Sequence, residues 1–173
     1  MLISCVAYEN GKRLGDVPVG EIRAYRGRPG CFIWVALKDP EPGEILEMQA
    51  EFDLHDLAVE DAQRGHQRPK LDEYGNQLFA IVQTIEQDAG GELHAAQAPI
   101  FVGPDVIKTV RQATRLGFAD VRSRTELEPD LLRHGPAYVF YVLLDTIVER
   151  YFPVVDMVTD EIEELEERIF AGQ

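Results

Sequence analysis

Cysteine is scarce in this chain of 173 residues, with Cys5 and Cys31 the whole complement. They form no CxxC pair of the kind a thiolate zinc cluster uses, and so few cysteines give no sign of a secreted, oxidising setting. Each lies in an apolar, strand-like run and reads as a buried free thiol. Basic residues are also few, 17 against 31 acidic ones, and the formal net charge is -14. Such a surface repels nucleic-acid phosphates and anionic lipid, which disfavours both as partners. Long apolar runs are missing too. The longest, Ala137 to Leu144, is closed by Asp145, whereas a spanning helix needs about 20 such residues. The opening MLISCVAYENGKR lacks the basic and apolar regions of a signal peptide. There is no nucleophile elbow, phosphate-binding glycine loop or HExxH motif, so no enzyme class is indicated.

What is present suits a packed domain, with 45% hydrophobic and 28% charged residues. Leu2 to Tyr8 reads as a strand, followed by an Asn10-Gly11 turn. Arg23 to Gly30 reads as a loop. Cys31 to Leu37 (CFIWVAL) reads as a strand covered on both faces. Asp39-Pro40-Glu41-Pro42 announces a helix, with Ile45, Leu46, Met48 and Phe52 on one apolar side. Asp53 is expected to cap a second helix carrying Leu54, Leu57, Ala58 and Ala62, ended by Gly65. Leu78 to Glu86, Gln97 to Val102 and Val106 to Arg111 form an antiparallel meander, the first turn being Asp88-Ala89-Gly90-Gly91.

The last third is helical. Phe118 to Leu127 is short and polar. Pro136 opens a more apolar helix through Tyr151, and Pro153 is expected to restart or kink it. Beyond it Val154, Val158, Ile162, Leu165 and Ile169 make a heptad-like seam that needs a continuation or a partner helix. The fold class is α/β, a mixed parallel and antiparallel sheet sandwiched between helices (α/β/α) and ending in the start of a stalk-type helical region. Residues 1–135 are read as the core and residues 136–173 as that helical region.

Two acidic features could carry chemistry. Glu60-Asp61 lies in the C-terminal half of a helix, where the macrodipole prefers cations, and Glu60 shares a face with Asp56. A bound cation would offset the repulsion; a solvated acidic face is the alternative. Asp145 interrupts an apolar helix, so it must meet a cation, a donor or water. An arginine is the simplest partner, and Glu149 one turn later could share it. Carboxylate-only sets favour hard cations such as Mg2+. His55, His66, His94 and His134 are scattered, and His66 reads as a surface or packing residue. The acidic run from Asp160 to Glu167 reads as an exposed helix face.

These motifs, taken together, resemble the CorA family of divalent-cation transporters. LHDLAVEDAQRGHQRPKLDEYGNQLFAIV is similar to the family's helix, acidic pair, HQRPK loop and following strand. Ala98 to Val110 is similar to its next hairpin, and GPAYVFYVLLDTIVERYFPVVDMVTDEIEELEERIF to its pre-stalk helices. The resemblance implies a cytoplasmic α/β/α domain of a homopentameric channel for magnesium and cobalt. The stalk, the two membrane helices and the Gly-Met-Asn pore motif would lie beyond Gln173, so this stretch alone should transport nothing. It further implies that Mg2+, or another divalent cation such as Co2+, sits between protomers and favours the closed state. Asp61 would be a main interprotomer ligand, Glu60 an adjoining one and Asp145 a helper in a second site, while the other main acid would be on the stalk. A zinc-transporting relative and a metal-indifferent oligomerisation module are the alternatives; a metal-dependent hydrolase would need a second catalytic motif that is not visible.

Overall fold

The structure is a computed structural model that describes residues 1–65, 67–88 and 90–172. Seven strands form one sheet: β1 (Leu2–Glu9), β2 (Lys12–Asp16), β3 (Cys31–Lys38), β4 (Lys70–Tyr74), β5 (Gln77–Gln87), β6 (Leu93–Val102) and β7 (Val106–Arg111). Their order is β2-β1-β3-β7-β6-β5-β4. Among the described residues only β3 and β7 run parallel, with Ile33 opposite Val106 and Leu37 opposite Val110. The mixed sheet expected from the sequence is therefore observed.

The period-two alternation of side chains sorts the core into two layers. On one face Ile33, Val35, Phe79, Ile81, Phe101 and Val110 meet α1 (Pro42–Phe52) and α2 (Asp56–Gln63). On the other, Tyr8, Phe32, Trp34, Ile100 and Ile107 meet α3 (Ala119–Glu126), α4 (Pro129–Leu132) and α5 (Pro136–Phe170). The central β3 feeds both layers, which is why CFIWVAL is apolar throughout. Cys5 and Cys31 are free and buried. Burial pushes the Cys5 thiol up to about 11 and raises that of Cys31, so both are inert thiols near neutral pH.

Several local expectations are corrected. The short edge strands β2 and β4 are additions. Their sequences, KRLGD and KLDEY, are charged because a sheet edge must resist further pairing. A 3-10 helix over Val19–Ala24 precedes the Arg26–Gly30 loop. Asp53 does not cap α2; it ends α1 in the left-handed region at φ 52°. The cap is His55, whose Nδ1 accepts from the Leu57 N–H at 3.3 Å while its ring stacks on Tyr74. Leu46 and Leu57 are exposed and leave the apolar sides to their neighbours. β6 begins at Leu93, earlier than Gln97, and Ala89 of its turn lies outside the described residues.

Pro153 neither stops nor restarts α5, which runs for 35 residues, or about 50 Å. Proline removes one N–H and frees the carbonyl four residues earlier. That residue is Glu149, and both it and Pro153 are exposed, so water can take the freed carbonyl. The first half of α5 packs through Val139, Val142, Leu143 and Ile147. Val158, Ile162, Leu165 and Ile169 of the seam are exposed. No described helix is long and apolar enough to cross a membrane.

Candidate acidic cation sites

Glu60 and Asp61 occupy the last turn of α2, held against the sheet by Ala58, Val59 and Ala62. The packing aims the two acids away from the core, and neither is left alone. Glu60, half exposed, pairs with Arg64 one turn on at 2.5 Å. Asp61 is only 20% exposed, and its Oδ2 accepts from Lys70 Nζ at 2.6 Å. Lys70 stands at the start of β4 and also reaches Asp72 at 2.7 Å. Its hydrogen bonds to Asp61 and then Asp72 hold the ammonium above the usual lysine range. Asp56 is engaged too, accepting from Gln49 Nε2 at 2.6 Å.

Asp145 lies on α5 in the other helical layer. It meets the arginine expected of it: Arg124 Nη2 of α3 is 2.6 Å from Asp145, and Nη1 is 3.5 Å from Glu149. Asp145 foremost holds Arg124 above its ordinary range. The sheet separates Asp145 from Glu60-Asp61, since α2 and α5 pack on opposite faces. Within one chain the three acids therefore stand at two separate places, one on each face of the sheet. Each is an oxygen-only donor set whose acids outnumber the cationic side chains paired with them. Such a set fits a hard divalent cation that competes with lysine or arginine, rather than one held permanently.

A further acidic group escaped the sequence reading. Asp88, Glu92 and His94 bring one ligand atom each to within 4.8 Å of one another at the β5–β6 turn. Asp88 Oδ1 accepts from the Gly90 and Glu92 N–H groups, and Oδ2 lies 3.0 Å from His94 Nε2. His94 first, then these backbone bonds, lower the Asp88 carboxyl to about 2. Folding the hairpin about the Asp88–Gly91 signal would have revealed the group. His66 lies outside the described residues.

Comparison with known proteins gives these sites a context. The family model described as "CorA-like Mg2+ transporter protein" matches residues 30–173. YfjQ of Bacillus subtilis (strain 168), named for metal ion transport, is 34% identical over 137 residues, covering 79% of this chain and 42% of its own length. The cobalt/magnesium transport protein CorA of Thermotoga maritima is 27% identical over 139 residues, covering 79% and 40%. The chain thus spans about two-fifths of the length of these two curated relatives. Among solved structures, the full-length CmaX protein superposes with TM-score 0.78 at 17% identity, covering 99% of this chain and 53% of that one. The soluble domain of CorA from Methanocaldococcus jannaschii gives 0.68 at 15% identity, covering 99% and 66%. At these identities the two superpositions establish a shared fold.

Proposed function

This chain belongs to the CorA-like Mg2+ transporter family, and we propose that it is the cytoplasmic, cation-responsive domain of a magnesium/cobalt channel. In this reading residues 1–135 are the domain core, and residues 136–173 lead toward a stalk and membrane helices. Five copies assemble, and a divalent cation between them favours the closed state. In this reading ion passage, not catalysis, is the activity of the whole protein, and this domain lies at the inner face of the membrane.

The observation that carries the reading is the pairing of each predicted ligand with a basic side chain of its own chain: Glu60 with Arg64, Asp61 with Lys70, and Asp145 with Arg124. These pairs are partly exposed and individually weak. They hold the acids in position without locking them. A bound divalent cation would supply the charge that lets acids of neighbouring copies face one another. Asp61 and Glu60 would hold it on the α2 side and Asp145 would assist on the α5 side. Competition with Lys70 and Arg124 keeps affinity low, which suits a sensor of abundant free magnesium. Only a ligand that distinguishes closed from open assemblies can shift the gate.

The test is thermal unfolding of the chain in MgCl2, matched in ionic strength with NaCl and repeated for Asp61→Asn. At 100 times its dissociation constant a ligand stabilises by about 2.7 kcal/mol. Saturable, magnesium-specific stabilisation that Asp61→Asn removes is expected. An identical response in both salts would sink the assignment of a site to Asp61. In the complete protein, Asp61→Asn should blunt inhibition of flux by magnesium. A flux assay with zinc separates this reading from that of a zinc transporter.

A further inference from the structure

A pocket on the α3–α5 side of the sheet has the reverse charge. It holds about 250 Å³ and is lined by Ser4, Trp34, Thr109, Arg111, Phe118 and Arg122, with Ile3 and Ala36 closing its walls. It lies at the carboxyl ends of β3 and β7, the one parallel strand pair, where open α/β sheets commonly bind ligands. The chain carries a net charge of -14, yet no acidic side chain is among the described residues lining this pocket.

Its two guanidinium groups lack carboxylate partners among the described residues. Arg111 Nη1 donates to the Leu116 carbonyl at 2.9 Å. Arg122 Nη2 donates to Ser4 Oγ at 2.8 Å, and its guanidinium lies 4.8 Å over the Trp34 ring. The Arg122 Nε is buried with no acceptor. A buried donor without a partner is costly, and such groups are uncommon in folded proteins. The start of α3 is at the rim, where Phe118 offers no side-chain cap, so its free N–H groups add positive potential. Asp120 of that first turn is engaged elsewhere, with Arg150 at 2.8 Å. Two unneutralised guanidiniums, an orphaned N–H and apolar walls all call for one kind of occupant.

We propose that this pocket binds a small organic carboxylate: an anionic head against Arg111 and Arg122, and an apolar or aromatic body between Trp34, Ala36 and Phe118. The site is independent of the acidic cation sites, which lie at other side chains.

Trp34 is the only tryptophan of the chain, so its emission reports occupancy directly. Benzoate, benzamide and benzamidine share one ring and differ in head-group charge, and each is titrated while Trp34 emission and the melting temperature are recorded. Benzoate should give a saturable change and a rise in melting temperature, and the other two should give neither. Arg111→Gln should weaken benzoate binding by about ten-fold or more, the loss expected of one charge-assisted hydrogen bond. Ala36→Leu, which fills the pocket while leaving both arginines in the chain, should abolish it. Circular dichroism melts establish that both variants fold. A benzamide response equal to that of benzoate, a benzoate response that survives both substitutions, or no benzoate response in either readout overturns the proposal.

Discussion

Lys70 Nζ bridges Asp61 at 2.6 Å and Asp72 at 2.7 Å, joining the last turn of α2 to the edge strand β4. The ammonium occupies the place at Asp61 that a divalent cation would contest. Lys70→Met keeps an unbranched aliphatic side chain and removes the competing charge, which lies 5.7 Å from the centre of the Phe79 ring. The magnesium concentration for half-maximal stabilisation should then fall by about two- to five-fold, the equivalent of a partly exposed ion pair. Without magnesium the variant should be less stable by about 0.5 kcal/mol. Because the folded-state pKa of Lys70 is raised, its stabilisation is full below the unfolded lysine value. It is lost as pH rises through the folded one. The wild-type alkaline limb should therefore be steeper than that of Lys70→Met in parallel urea titrations.

Lys108 presents the opposite case. It is 1% exposed on β7, its Nζ has no hydrogen-bond partner among the described residues, and it lies 4.0 Å from the centre of the Phe52 ring. Burial foremost, then Arg26, lowers its pKa well below the usual value, against a smaller pull from Asp105. The unfolded chain therefore binds one more proton between the folded pKa and the unfolded value near 10.5. The penalty is complete below the folded pKa and is relieved as pH rises toward the unfolded one. Lys108→Met should raise stability at pH 7 by about 1–3 kcal/mol and flatten the pH dependence up to pH 10. Equal stability at pH 7 in urea unfolding would count against a buried, unpartnered amine.

Gly11 couples the first hairpin to α4. It follows Asn10 in a turn with φ 50° and 80° at the two residues, and a Cβ at Gly11 would lie 2.0 Å from the Pro129 carbonyl oxygen. Gly11→Ala meets both a disfavoured backbone region and a backbone atom that cannot swing aside. A loss of at least about 2 kcal/mol is expected in chemical denaturation. Gly43→Ala, in open space within α1, is the matched control and should be neutral to stabilising.

The layered α/β/α fold was legible because its strongest signals are intrinsic to the chain: the unbroken apolar run of β3, the meander from β5 to β7, and the apolar first half of α5. The strands that escaped, β2 and β4, sit at the edges, where charged sequence is the requirement and so resembles loop. Asp53 misled because it was judged by local preference alone, whereas its outcome depended on backbone handedness, and Pro153 does not restart the helix because the carbonyl it frees is exposed. At the candidate sites the acids were visible and an arginine for Asp145 was anticipated. Their particular partners were not, since Lys70 is nine residues from Asp61 and Arg124 is 21 from Asp145. The arginine-lined pocket had no sequence signature, because Ser4, Trp34, Arg111 and Arg122 come from four separate elements.

The exposed end of α5 separates stability from assembly. Ile162 and Leu165 are 51% and 53% exposed, so they contribute little burial to the domain. The double substitution Ile162→Ser and Leu165→Ser should shift the stability of the α/β core by no more than about 0.5 kcal/mol. It does remove two apolar positions of a seam that suits another helix. If the seam mediates self-association, the same variant should lower the weight-average mass in sedimentation equilibrium while the melting curve of the dilute chain stays in place. A large fall in melting temperature at low concentration would instead mean that the seam folds back onto the core in solution.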